Sequence, residues 1–147
     1  MWTLNHLKQA NISKNVMLEV FCVMLRPILE YCCSVYHPLL TCEMSEKIEG
    51  MQKLALRIIF GFDKSYTEIL IENNMTTMEE RRKKMFCNYA NKLVKSERFT
   101  KWFPENNCSV NLRGKKKYKE VHANTNRLYN SPVFAMRRLL NEQETMN

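Results

Sequence analysis

A chain of 147 residues that is 45% apolar can bury one modest core, and with only 3 Gly and 4 Pro it favours helices over a turn-rich sheet. Its formal charge of +8 points to a polyanionic partner or to a solvated basic surface. No run approaches the ~18–20 apolar residues of a membrane span. No basic stretch followed by an apolar core opens the chain, so neither a transmembrane protein nor a secretory signal is expected.

Trp2 to Ala10 reads as a short helix carrying Trp2, Leu4 and Leu7, and Asn11-Ile12-Ser13 breaks it. Ser13 can cap a second helix whose apolar stripe is Met17, Val20, Phe21, Met24, Leu25 and Ile28. Pro27 removes a backbone donor and disfavours the helical conformation at Arg26, which predicts a kink or a boundary there. A third helix follows, with Met44, Ile48, Met51, Ala55, Ile58 and Ile59 on one side and Glu46, Glu49, Lys53 and Arg57 on the other. Thr41 suits its N-cap, Gly61 suits a left-handed residue after its end, and Glu49 stands four residues before Lys53, the favourable order for a helical ion pair.

Ser65 with Glu68, and Thr76 with Glu79, have capping-box spacing. They predict a short helix burying Tyr66, Ile69 and Leu70, and then a long one from about Thr77 to Ser96. The long helix has Met78, Met85, Phe86, Tyr89, Ala90 and Leu93 on its apolar face. Arg81, Lys84, Asn88, Asn91, Lys92 and Lys95 fall on the other. Arg82 points into the apolar face. A buried guanidinium needs a carboxylate or several carbonyls, so pairing with Glu30 or Glu72 is expected. Phe99, Trp102 and Phe103 read as an apolar clasp or as a base-stacking platform. Gly114 to Lys119 is the densest basic run, expected to be extended or disordered until a partner binds. Ser131 and Pro132 open a last short helix to about Asn141.

The charge is segregated. Residues 1–80 carry a net −3, residues 81–119 carry +11, and residues 120–147 are neutral. The expected fold is all-α: a small irregular bundle of about five to six helices over 1–104, a basic and partly disordered arm over 105–130, and a short helix over 131–142. Of six Cys, Cys22, Cys32 and Cys33 sit inside an apolar helix pattern, and all are read as reduced thiols of an intracellular protein, nuclear or cytoplasmic. Cys33, His37 and Cys42 lack paired metal-ligand spacing, so no metal is expected, and no cofactor. His37 is read as packing or capping.

Several phrases carry a family resemblance. RPILEY, VYHPLLT and EKIEGMQKLALRIIFG resemble the region after the polymerase core in reverse transcriptases of non-LTR retrotransposons, the jockey-like long interspersed elements. Tyr36 stands where that family has Trp, and Leu54 where it has Arg. MTTMEERRKK, the Asn111-Leu112-Arg113 triplet, and Thr125, Arg127, Asn130 and Ser131 extend the resemblance over about Leu4 to Asn141. Structural roles are expected for Arg26, Pro27, Glu30 and Tyr31, which match that family, and for Arg82 and Trp102 from the apolar face and the clasp. The polymerase site that the resemblance implies needs aspartates around two metal ions, and Asp63 is the only Asp here. The chain is therefore expected to be a thumb-like fragment without catalysis of its own, and without a small-molecule substrate or a membrane.

Together, the charge segregation and the resemblance name Arg81, Lys84, Lys92, Lys95, Arg113, Lys115, Lys116, Lys117 and Lys119 as contacts to the backbone of RNA or an RNA–DNA hybrid, without sequence preference. The alternatives are a helical protein-interaction module, docking on a polymerase core or co-opted on its own, and a decayed element remnant. An exposed apolar patch on either early helix would favour the interaction module.

Overall fold

The computed structural model describes residues 1–106, 116–120 and 122–145. Among these residues the fold is all-α, with nine α-helices and no strand. The helices are α1 (Trp2–Gln9), α2 (Lys14–Val20), α3 (Arg26–Glu30), α4 (Cys33–Tyr36), α5 (Cys42–Phe60), α6 (Tyr66–Glu72), α7 (Met78–Val94), α8 (Asn126–Tyr129) and α9 (Pro132–Thr145). No described helix is long and apolar enough to cross a membrane. Contacts divide the chain into two units, Met1–Cys32 with Thr41–Arg82, and Cys33–Leu40 with Lys83–Asn147. The cut falls inside α7.

In unit 1, α2 passes through a π-helical turn, Phe21–Leu25, into α3. Arg26 keeps helical dihedrals (φ −61°, ψ −41°) although a proline follows it. Helical backbone therefore runs through Pro27 as an α2–α3 rod, and the predicted boundary is present as the change from the π turn to α3 at Arg26. The rod ends at Tyr31, whose ψ is 128°, and at Cys32, whose φ is +54°. That break splits off the four-residue α4 and raises the helix count above the expected five or six.

Leu4, Met17, Phe21, Ala55 and Ile59 form one core cluster of this unit, and Leu56, Ile69 and Leu70 form another. Leu18, Phe60 and Met75 pack against both. Each fully buried Leu, Ile, Met or Phe among them contributes about 1.5–3 kcal/mol by leaving water.

The buried stripe of α5 is rotated from its predicted position. Met44 and Met51 are exposed, while Gln52, Ala55, Leu56 and Ile59 are buried. Gln52 can go inside because its Nε2 donates to the Tyr66 hydroxyl at 2.9 Å and to the Thr76 carbonyl at 3.1 Å. Glu49 also turns inward, away from its predicted pairing with Lys53. It accepts from the Tyr66 hydroxyl and from the Met78 N–H at 2.9 Å. Thr41 caps α5 as predicted, through Met44 N–H.

The capping box of α6 is complete, with Ser65 and Glu68 each accepting from the other's backbone. The box of α7 sits one residue later than predicted: Thr77 accepts from Glu80 N–H and Glu80 from Thr77 N–H, both at 3.2 Å. The shift follows from the Thr76 carbonyl and the Met78 N–H being held by Gln52 and Glu49 of α5.

In unit 2, Phe86, Ala90 and Leu93 of α7 pack with Phe103, Tyr118, and Ala135, Met136 and Leu140 of α9. Phe99 packs against this cluster, but Trp102 is 44% exposed, so the clasp uses Phe99 and Phe103. The His37 ring packs on Phe86, 5.5 Å between centroids. Residues 116–120 run extended and pinned. Tyr118 pairs with Glu105 in an isolated antiparallel bridge, and Asn141 accepts from Tyr118 N–H at 2.9 Å and donates to its carbonyl at 3.0 Å. The last helix runs to Thr145, past the predicted Asn141.

Candidate nucleic-acid interface

The predicted contacts separate into four groups. Arg81 belongs to unit 1, where its Nε donates to Glu30 Oε1. Glu30 is buried, and Arg26 Nε lies 3.9 Å from the same oxygen. A guanidinium committed to a buried carboxylate is a structural tie, so Arg81 leaves the list of phosphate contacts. The expectation for Arg82 was half met. It is fully buried, as its helical phase predicts, but among the described residues no carboxylate meets it. Glu30 is taken by Arg81, and Glu72 by Lys64 at 2.6 Å. Instead Arg82 Nη2 donates to Ser45 Oγ at 2.6 Å, and its other two nitrogens find no acceptor among the described residues.

Lys84, Lys92 and Lys95 form the second group, all in unit 2 and all exposed. Lys84 and Lys92 lie on α7 and Lys95 directly follows it. At 1.5 Å per residue they span about 16 Å of helix axis. Asn88 and Asn91 sit between them and are also exposed. The same stretch of helix is held from behind by Phe86, Ala90 and Leu93, so the lysines stand on a fixed support. Among the described residues none of the three is in an ion pair.

No protein-family model, curated protein or solved structure matches the chain.

The third group is the pinned segment 116–120. Lys116 pairs with Glu120 at 2.6 Å, which holds the Glu120 carboxyl below its usual range, with Asn141 contributing. Lys117 lies over the Tyr118 ring, 5.6 Å from its centroid, and Lys119 is exposed. Lys116 is thereby partly neutralised in place. The fourth group, Arg113 and Lys115, lies outside the described residues, as does the Asn111-Leu112-Arg113 motif.

Among the residues given structural roles, Glu30 is buried and ties Arg81, and Arg26 and Pro27 belong to the continuous rod. Tyr31 is 76% exposed and therefore supports no core. Trp102 contributes its carbonyl, which accepts from Arg137 Nε at 2.6 Å. Sequence reading passed over Arg137 and Asn141, because their partners are backbone groups of residues far along the chain. Burial lowers the Arg137 pKa.

Among the described residues no group of three His, Cys, Asp or Glu side chains is placed to hold a metal ion. Among the described residues Cys22, Cys32, Cys33, Cys42 and Cys87 form no disulfide.

Proposed function

We propose that the chain is the thumb-like part of a retrotransposon reverse transcriptase. In this reading it supports a primer–template by meeting the phosphates of RNA or an RNA–DNA hybrid without reading sequence. The observation that carries the reading is the row of Lys84, Lys92 and Lys95, exposed on a helix whose opposite face is buried. Lysines at fixed positions along about 16 Å match a repeating backbone charge and offer no planar group to read a base edge. The chain does no chemistry of its own. The resemblance, over about Leu4 to Asn141, supplies the polymerase context, and the charge pattern supplies the surface.

The test is binding to two RNA–DNA hybrids of unrelated sequence at low salt. The two affinities should agree within about twofold, and Lys84→Ala/Lys92→Ala/Lys95→Ala should lower both at least about tenfold. Unchanged binding by the triple variant would refute the assignment.

A second reading, a protein-interaction module, has its own support. Along the α2–α3 rod, Val16, Val23, Met24, Ile28 and Tyr31 are exposed, Ile28 at 71%. An apolar stripe of this kind suits a protein surface such as a polymerase core. Met24→Lys/Ile28→Lys separates the two readings, because it should leave hybrid affinity unchanged if the lysine row does the binding.

A further inference from the structure

The turn after α5 holds a feature that the lysine row does not use. A cavity of about 280 Å³ opens there in unit 1. It lies near the low end of the about 300–1,000 Å³ typical of small-ligand sites. Lys53 and Arg57 of α5 line it together with Phe62, Asp63 and Lys64 of the turn and Tyr66 of α6. Three cations thus face a single carboxylate.

Two of those cations rest on rings. The Arg57 guanidinium carbon lies 5.8 Å from the Phe62 centroid, and Lys53 Nζ lies 5.3 Å from the Tyr66 centroid. A ring attracts a cation weakly and does not neutralise it, so both charges, in no ion pair among the described residues, remain open to an anion. Lys64 is tied to Glu72 and serves the turn's own structure.

Phe62 itself is 84% exposed. An isolated exposed phenylalanine is ordinary. This one rims a basic cavity, and Gly61 fixes its approach. Gly61 takes φ +97° and ψ −164°, not the left-handed conformation its position predicts. Essentially only glycine occupies that region, and the ring that follows it faces solvent. A solvent-facing aromatic ring beside unneutralised cations is the arrangement that holds a base by stacking and its phosphate by charge.

We infer that this turn is a site for one nucleotide of a single strand, its base stacked on the Phe62 ring and its phosphate met by Lys53 and Arg57. The inference goes beyond the duplex grip and does not rest on it, since every residue it uses belongs to unit 1 and the lysine row belongs to unit 2.

The test uses the full chain and a short fluorescent oligouridine. Phe62→Ala should weaken binding about tenfold, and Phe62→Trp should keep or strengthen it. Because Phe62 packs against so little, neither change should disturb the fold, which circular dichroism checks. Arg57→Ala should weaken binding and reduce its salt dependence. Uridine monophosphate, titrated while amide resonances of Phe62 and Lys64 are followed, identifies the source of the ligand. Shifts with the mononucleotide show that base and phosphate suffice, and shifts with the oligomer alone show that a strand is required. Equal oligouridine affinity for Phe62→Ala and the parent chain would overturn the inference. Repeating the titration on Lys84→Ala/Lys92→Ala/Lys95→Ala distinguishes failure of this site from failure of the duplex grip.

Discussion

In unit 1 the inward-facing polar side chains mostly answer one another. Glu49 accepts from Tyr66, Tyr66 accepts from Gln52, Arg82 donates to Ser45, and Glu30 takes Arg81. In unit 2 they answer the main chain. Asn141 holds both backbone groups of Tyr118, and Arg137 holds the carbonyls of Trp102 and Lys119. The first arrangement fixes the rotation of helices about their axes, which is why α5 and the start of α7 depart from their apolar patterns. The second fixes a segment that has no helix of its own and so keeps that basic stretch beside the core. The surfaces differ in parallel: unit 1 exposes an apolar stripe, and unit 2 exposes lysines.

The comparison is broken most severely at Asn141. If unit 2 depends on a side chain bonded to backbone, Asn141→Ala strands the buried N–H and C=O of Tyr118. It should cost about 2–4 kcal/mol in denaturant unfolding and speed hydrogen exchange at the Tyr118 amide. Unchanged exchange there would show that the segment is held by the Tyr118 ring alone.

Arg82 tests the opposite case. Among the described residues its buried guanidinium has one hydrogen bond, to Ser45, and no carboxylate. Arg82→Met keeps the bulk and removes the charge, and should leave stability unchanged or raise it by about 1–2 kcal/mol. A loss of stability would mean that the charge itself holds unit 1 together.

A smaller effect sharpens the picture of the Glu49 network. Burial first, then the Glu49 carboxylate, raise the Tyr66 pKa well above its ordinary value. An unfolded tyrosine titrates near ~10. The stability Tyr66 contributes is therefore complete below about pH 10 and is lost as the pH rises beyond it. Tyr66→Phe should cost about 1 kcal/mol near neutrality and flatten the alkaline loss, measured by denaturation between about pH 8 and 11.

Much of this was legible in the sequence. The capping residues Thr41 and Ser65 act as their spacing predicts, and Phe86, Ala90 and Leu93 line the buried face of α7. The exposure of Lys84, Lys92 and Lys95 follows from that same phase. Gln52 and Glu49 were misplaced because periodicity treats a polar side chain as outward, whereas these two are satisfied by Tyr66, Thr76 and Met78 on later segments. Arg81 took the carboxylate expected for Arg82 for a related reason. Helical phase showed which of them enters the core, but the position of Glu30 decides which finds a carboxylate. Two adjacent threonines, each with a glutamate three residues on, left the start of α7 ambiguous by one residue until α5 was in place.

The most direct test of the phosphate-gripping row is a salt titration of hybrid binding for the parent chain and for Lys84→Ala/Lys92→Ala/Lys95→Ala, both first shown to be folded. Each duplex phosphate contact contributes about −0.9 to the slope of log K against log salt, so the triple variant should be flatter by about 2.7. Equal slopes in two folded proteins would contradict the account and show the row to be solvated surface.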